Sequence, residues 1–362
     1  MIRRLLKLIG SLLAAGHAAP ALAVDVPADQ AEAMFHVYDG GGVRATGPAL
    51  LVRKSLSDRV SASASYYVDA VSNASIDVVT TASPFRETRH EVNLGLDWAV
   101  RDSLITLAAG QSREPDYDAG SFGLDIAQDV FGGMTTVKLG FTRGSDIVRK
   151  STDGNFNERA HHWQYRLGLT QVLSPRWLAS LNLEAVADDG FLASPYRAAR
   201  VFGATVPERL PGTRSSRALK FSTVHAVDDR SSLRAEARYF WDTWGLKAGT
   251  AAVGGARRLE GGWLLDAALR LHRQNSALFY RDNATLETTY ITRNRQLSAF
   301  QSWGLALRAS TELRSWKPEW ALKLTGGYEF KRFSFSEFTD LRDGAPYAHN
   351  AHVLQIHVSS NF

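Results

Sequence analysis

A cation-rich segment from residue 188 to residue 217 carries the side chains with the most specific chemistry. Its prolines, Pro195, Pro207 and Pro211, restrict the backbone. Guanidinium groups hold carboxylates and phosphates through paired N–H donors. The segment therefore predicts a contact for an anionic group, and the candidate residues are Tyr196, Arg197, Arg200, Glu208, Arg209 and Arg214. The alternative is a solvated segment whose arginines, including Arg217, pair locally with Asp188, Asp189 and Glu208.

Two groups of histidines raise the question of a metal site. His161 and His162 are adjacent, and His349, His352 and His357 lie near the C-terminus. Neighbouring strand residues point to opposite faces, so neither spacing has metal-site geometry. The G-x-S-x-G, H-E-x-x-H and phosphate-loop motifs are absent from the sequence. We predict no catalytic, cofactor or metal residues, and the remaining enzyme alternative is a hydrolase or acyltransferase assembled from distant loops.

Composition and the N-terminus indicate an exported protein. The 362 residues contain no Cys, which excludes disulfides and cysteine-ligated metals. Arg3, Arg4 and Lys7 precede a short apolar run, so residues 1–23 are predicted to be a signal peptide and residues 24–362 the mature domain. Removing these three cations from the 42 Lys plus Arg leaves 39 against 37 Asp plus Glu, too small an excess to favour nucleic acid.

Apolar residues recur with a period of two along most of the mature chain. Examples are Val60 to Ala70, Val92 to Val100, Trp163 to Leu169, Trp177 to Ala185, Leu233 to Trp241, Trp263 to Leu271, Trp303 to Ala309 and Trp320 to Phe330. This alternation predicts strands with one apolar face. Trp or Tyr stands at the ends of the apolar rows, as expected where rings lie at both headgroup levels of a membrane. The mean hydropathy of −0.20 is compatible with such a barrel.

Connection lengths predict the topology. Short turns at 55–59, 101–103, 174–176, 228–232, 259–262 and 314–319 alternate with long connections near 71–90, 144–160, 188–215, 274–296 and 334–350. Outer-membrane barrels have short periplasmic turns and long extracellular loops. A first strand at 32–38 and an additional strand at about 121–128 make the count even. We therefore predict an all-β, transmembrane antiparallel barrel of about sixteen strands in the outer membrane of a Gram-negative cell, with both termini periplasmic.

The polar face of the strands predicts a charged lumen. Its residues are Arg166, Glu184, Arg234, Glu236, Arg238, Asp266, Arg270, Lys323, Glu329 and Lys331, with Asp69 and Asp97. Cations and anions are balanced, which favours neutralising pairs over a field that selects one ion. In this barrel the 188–217 segment becomes an extracellular loop. It either constricts the mouth or meets lipopolysaccharide phosphates or another anionic partner.

The chain ends on an amphipathic strand. Leu354, Ile356, Val358 and the terminal Phe362 share one parity. This pattern resembles the signal that the barrel-assembly machinery reads, although Ser360 stands where an apolar residue is more usual.

Four blocks of sequence resemble one bacterial family. They are Asp69 to Asp77 followed by Phe85 to Arg89, Ser112 to Tyr117, Gly190 to Arg197, and Pro207 to Arg214. In this order they resemble the domain of unknown function 3570 family of predicted outer-membrane barrels, from about Met34 to Phe362. A fifth block, Leu271 to Tyr280, departs from the family pattern at His272 and Arg273. The resemblance implies an accessory role beside small lipoprotein, thioredoxin-like and flavin-attaching partners.

These observations favour a porin-like pore, or a barrel that sheathes partner proteins of an envelope system with a possible redox link. The alternative is an outer-membrane enzyme or adhesin with its site on the extracellular loops.

Overall fold

The computed structural model describes residues 24–73, 85–313 and 320–362. The predicted signal peptide, the centre of the predicted loop near 71–90 and the predicted turn from Arg314 to Glu319 lie outside these ranges. The strands are β1 Gln30–Gly40, β2 Val43–Ser57, β3 Val60–Asn73, β4 Phe85–Val100, β5 Ser103–Arg113, β6 Tyr117–Val130, β7 Thr135–Lys150, β8 Asp153–Ser174, β9 Trp177–Gly190, β10 Ala198–Val201, β11 Ala204–Pro207, β12 Thr213–Ala226, β13 Ser231–Asp242, β14 Lys247–Arg258, β15 Leu264–Gln274, β16 Phe300–Leu313, β17 Ala321–Thr339 and β18 Pro346–Asn361.

Sixteen of these strands form one closed antiparallel barrel, which confirms the predicted fold and count. Each barrel strand pairs with its neighbours in the chain, and β1 closes the ring on β18 from Gln30↔Asn361 to Gly40↔Ala351. Closure pairs the backbone groups of every strand on both sides, as a structure in lipid requires. β10 and β11 form a separate hairpin within the β9–β12 connection. One 3₁₀ turn, Arg295–Leu297, lies in the β15–β16 connection. Among the described residues no helix is long and apolar enough to cross a membrane.

The apolar parity of the strands faces outward. Leu94, Leu233 and Val253 are each more than half exposed. Exposed rows of this kind are costly in water but match a hydrocarbon layer. Trp98, Trp177 and Trp263 lie toward the end of the barrel that carries both termini, while Trp163, Trp241 and Trp303 lie toward the opposite end. The predicted lipid-facing band with aromatic borders therefore covers the outer surface.

The two ends of the barrel differ less than predicted. The predicted long connections at 144–160 and 334–350 are wrong, because β7 and β8 are joined by Ser151 and Thr152 alone and β17 and β18 by residues 340–345. Where a strand extends past the lipid layer, both of its faces meet water and its residues no longer alternate between apolar and polar. The hydrogen bonds between strands continue there, so these segments are strands although their composition resembles loops. The long connections of the described structure are 191–212 and 275–299, both at the end opposite the termini.

These two long loops pack together at the mouth, which we define as the barrel end opposite the termini. An aromatic core there contains Trp244, Tyr280, Leu297, Phe335, Phe338 and Tyr347. A smaller core joins β10 to the β15–β16 loop through Ala199, Val201, Ala284 and Ile291. Both loops are thus folded elements attached to the β13–β18 side of the mouth.

A cavity of about 1190 Å³ lies in the lumen between the chain ends and the mouth. It extends from Ala28 and Asn361, near the chain ends, up to Tyr67 and Arg89. The small inward residues of its wall include Ser65, Ser310, Gly327 and Ser359.

Candidate functional site

The 191–212 loop begins at a glycine that the backbone requires. Gly190 has a φ of +108°, and a Cβ there would lie 2.2 Å from the Arg159 carbonyl oxygen. The chain then turns away from β9, forms the β10–β11 hairpin, and meets the β15–β16 loop through backbone bridges at Val201↔Ala284 and Arg209↔Ile291. The loop is therefore held by main-chain contacts as well as by its charged side chains.

Tyr196 links this loop to two other connections of the mouth. Its hydroxyl accepts a hydrogen bond from the Ser151 N–H at 2.7 Å and donates to the Asp116 carboxylate. Partial burial and this carboxylate raise the pKa of Tyr196 above its usual range, so the phenol remains protonated and donates. The β5–β6, β7–β8 and β9–β12 connections thus meet at one side chain.

Arg197 and Glu208 stand on the two sides of the β10–β11 hairpin. The Glu208 N–H donates to the Arg197 carbonyl at 3.2 Å, and the Arg197 guanidinium lies 3.9 Å from the fully buried Glu208 carboxylate. Thr292 of the β15–β16 loop donates its hydroxyl to the same carboxylate. Glu208 therefore ties the two long loops together.

The other predicted loop arginines also have partners nearby. Arg200 donates to the Gly203 carbonyl of its own hairpin at 3.2 Å. Arg209 donates to the Glu287 carboxylate and the Thr288 carbonyl, both at 2.8 Å. Arg214, in β12, donates to the buried Asp242 carboxylate at 2.6 and 2.8 Å and lies 4.6 Å above the Trp244 ring. Arg200 thus pairs locally, as in the solvated-loop alternative, whereas Arg209 and Arg214 contact other elements. Constriction of the mouth stays a prediction.

The segments that carry the family resemblance converge on these contacts. Asp116 and Tyr196 join the 112–117 and 190–197 blocks, and Arg197 and Glu208 join the 190–197 and 207–214 blocks. Within the first block, Asp69 accepts from Arg89 at 2.7 Å. In the departing block, Tyr280 donates to the Glu337 carbonyl at 3.1 Å.

The predicted lumen residues lie on the inward parity, and several form pairs. Arg166 donates to Asp125, Lys331 lies 3.0 Å from Glu329, and Arg234 donates to Asp266 at 2.8 Å. The Arg166–Asp125 and Arg234–Asp266 pairs each cross an intervening strand above Gly140 and Gly254 respectively, where a Cβ would lie less than 3.0 Å from the arginine. Glu236 pairs with Lys220 at 2.7 Å.

Other lumen charges remain without an ion-pair partner. Arg238 and Arg270, and also Arg308, which sequence reasoning did not select, form no ion pair with any residue in the described ranges. Arg308 and Lys323 line the cavity together with the Arg234–Asp266 pair. Glu184 lies in β9, which β12 separates from β13. The lumen thus combines the predicted neutral pairs with unpaired cations on its β13–β17 side.

Sequence reasoning missed two histidine clusters in the lumen. His162 contacts Asp146 at 2.8 Å and Asp188 at 2.7 Å through its two ring nitrogens, and Tyr117 donates to Asp146. His36 lies 2.7 Å from Asp69 and 3.0 Å from the Tyr67 hydroxyl. His161 lies beside Trp163 on the other face of β8, as the strand argument predicts. The sequence pattern could have placed these histidines on the inward face. It could not have identified their partners, which lie on neighbouring strands.

The C-terminal residue packs at the barrel end. Phe362 lies 5.5 Å from the Trp320 ring, and the Lys54 ammonium stands 5.0 Å from its ring centre. Its role as an assembly signal stays a prediction.

A family comparison agrees with the sequence blocks. The family model described as "Protein of unknown function (DUF3570)" matches residues 61–325. The chain belongs to this family. No curated protein sequence matches the chain. The DUF3570 match covers most of β3 through the first part of β17, including both long loops and the Arg166–Asp125 and Arg234–Asp266 pairs.

Solved structures share the fold of this DUF3570 protein. A bacterial polysaccharide outer membrane secretin has 9% identity and a TM-score of 0.52, over 92% of this chain and 98% of that chain. The siderophore receptor PirA from Pseudomonas aeruginosa has 11% identity and a TM-score of 0.45, over 91% and 80%. A Pseudomonas aeruginosa FadL homologue has 12% identity and a TM-score of 0.43, over 92% and 90%. The fold is that of outer-membrane barrels, which supports an outer-membrane location.

Proposed function

We propose that this DUF3570 protein is an outer-membrane pore for small polar solutes, with both termini in the periplasm. The observation that carries the proposal is the cavity of about 1190 Å³, which begins at the chain ends and is lined by charged side chains. A barrel that served only as a scaffold would gain stability from filling this space with apolar packing. Charged side chains, among them Arg308, Glu312 and Lys323, line it instead.

The loops at the mouth determine how far the pore opens. The aromatic core of Trp244, Tyr280, Phe335, Phe338 and Tyr347 is a packed obstacle on one side of the entrance. This packing favours a narrow pore and is also the observation that supports the second candidate, a barrel that sheathes periplasmic partner proteins. Small lipoprotein or thioredoxin-like proteins are the partners that the family resemblance implies. Lipopolysaccharide and the barrel-assembly machinery are the further partners we propose.

We propose no enzymatic role. Within the described ranges no three His, Asp or Glu residues are placed to hold one metal ion. At His162 the two carboxylates approach opposite ring nitrogens, which positions the ring between two strands. An outer-membrane hydrolase, acyltransferase or adhesin with loop residues remains the alternative that an activity screen of purified protein would reveal.

Solute uptake by proteoliposomes tests the pore directly. Vesicles containing the purified protein should take up pentoses and small amino acids faster than protein-free vesicles, and should exclude oligosaccharides. Arg308→Gln should lower the uptake of anionic solutes relative to cationic ones, because it removes an unpaired cation of the cavity. Arg257→Gln, on the outward parity of β14, is the matched control and should change neither rate. Uptake equal to that of empty vesicles would refute the pore and favour the sheath.

A further inference from the structure

Exposed cations on the outer surface are distributed unequally between the two ends of the barrel. Toward the mouth, the outward strand positions carry Arg44, Arg86, Arg113, Arg143, Arg217, Lys247, Arg273 and Arg332. Toward the termini, the outward positions of the described strands carry only Lys54 and Arg257. Several of the mouth-side cations lie directly across from a girdle tryptophan, as in Arg143↔Trp163, Arg217↔Trp241 and Arg332↔Trp303. Basic side chains at this level would attract anionic headgroups at a membrane surface.

One part of this surface is also shaped as a groove. The outward residues of β14 below Lys247 are Gly249 and Ala251, with Tyr239 of β13 across from Gly249 and Leu271 of β15 across from Ala251. Tyr239 and Trp241, stacked with ring centres 5.6 Å apart, form one wall, and Leu271 and Trp303 form the other. Two adjoining hollows of about 770 and 700 Å³ share Tyr239, Gly249 and Arg273.

Basic side chains without protein partners close the upper end of the groove. Lys247 and Arg273 are exposed, and neither forms an ion pair with a residue that the structure describes. Arg273 stands across from Gly249, so it lies diagonally beside Lys247 on the same face. A narrow apolar groove with two cations at its membrane-surface end is complementary to an acyl chain joined to a phosphate.

We propose that the outward face of β13–β16 is a binding site for one lipid A moiety of lipopolysaccharide. An acyl chain occupies the groove over Gly249 and Ala251, and Lys247 and Arg273 hold a phosphate. This site lies on the lipid side of the barrel wall, so it is separate from the proposed pore. It rests on the proposed outer-membrane insertion with both termini in the periplasm. Its occupant is a leaflet lipid because the groove runs down the lipid-facing surface from the level of the Trp241 and Trp303 rings.

Lipid A binding to the delipidated barrel, followed by native mass spectrometry, tests the site. Wild type should bind lipid A carrying both phosphates, and Lys247→Gln/Arg273→Gln should bind it about 30-fold more weakly, about fivefold for each basic side chain. Arg59→Gln/Arg257→Gln is the matched control with two exposed cations removed at the opposite end, and it should bind as wild type does. The Lys247→Gln/Arg273→Gln variant should conduct as wild type does, which separates this result from the pore.

A second variant tests the groove without changing charge. A Cβ at Gly249 meets no atom within 4 Å, so Gly249→Leu should fill the groove and leave the barrel folded. It should weaken binding of phosphorylated and dephosphorylated lipid A alike, whereas the double charge variant should affect only the phosphorylated form. Equal binding of both forms by wild type, or unchanged binding by the double charge variant, would overturn the proposal.

Discussion

At the residue scale, sequence parity identified the side chains of the lumen but not their partners. Arg234 and Asp266 were both predicted to face inward, and the structure pairs them across β14. Arg166 was predicted as a lumen cation, yet its partner Asp125 was not selected, because the pair spans a strand and depends on Gly140 between them. The period of two fixes which face a side chain occupies. The register of neighbouring strands, which sequence alone does not supply, decides what it meets.

Gly140→Ala should displace the Arg166–Asp125 pair. A Cβ at this position would lie 2.2 Å from the Asp125 carboxylate and 2.7 Å from the Arg166 guanidinium, so both flexible ends must move. The pair is partly solvated, so the loss in unfolding free energy should be about 0 to 1 kcal/mol. Thermal unfolding in detergent measures it. Gly326→Ala, where a Cβ meets nothing within 4 Å, is the control and should unfold as wild type does.

Asp29 should make the stability of the barrel depend on acid pH. The Lys54 ammonium, with hydrogen bonds from Ser55, lowers the pKa of Asp29 from 3.8 to about 2. Because the folded pKa is the lower one, this contribution is present above the unfolded pKa and disappears as pH falls through the folded pKa toward 2. Asp29→Asn should therefore unfold at a lower temperature than wild type at pH 7. At pH 2 the difference should shrink, and a difference that is constant with pH would contradict the assignment.

At the element scale, the membrane-crossing part of each strand was predictable and the part beyond it was not. The first strand, predicted at 32–38, spans Gln30–Gly40, and the additional strand, predicted at about 121–128, spans Tyr117–Val130. Lipid on one side and water on the other impose the alternation that sequence reveals. The hairpin of β7 and β8 continues past that region with polar residues on both faces, so its composition resembled a loop.

The two long loops should respond together to the loss of Arg209. This arginine joins the 191–212 loop to Glu287 and Thr288 of the 275–299 loop. Arg209→Ala should make both loops more sensitive to protease and, if they constrict the mouth, should raise conductance. Arg197→Ala, which removes the guanidinium beside Glu208, should act in the same direction. For Arg209→Ala, barrel stability should stay within about 1 kcal/mol, because its ion pair with Glu287 is exposed.

The control for this prediction is Arg200→Ala. Its guanidinium contacts the Gly203 carbonyl within the same hairpin and does not join the two loops. Equal protease sensitivity of all three variants would contradict a coupling role for Arg209. A large loss of barrel stability would show that the loop contacts support the barrel itself.

At the scale of the whole molecule, barrel closure and the number of strands could be predicted by counting strands and connections in the sequence. The packing of the loops at the mouth could not be predicted in this way. In a closed antiparallel barrel, successive strands run in opposite directions, so connections alternate between the two ends. Because the strand before Ser174 runs toward the termini, the number of strands that precede it must be odd. The aromatic core at the mouth joins residues from the β13–β14, β15–β16 and β17–β18 connections and their strands. Such a core has no short-range pattern, because its residues come from three connections that are distant in sequence.

The proposed pore requires an open path through this closed barrel. Single-channel recording in a planar bilayer measures that path. The purified protein, shown to be folded by its faster migration on an unheated gel, should give discrete and sustained conductance steps. Arg308→Gln should shift the reversal potential in a salt gradient toward greater cation preference, while Arg257→Gln should leave it unchanged. A folded, inserted barrel that remains silent in wild type and in Arg209→Ala would contradict the pore.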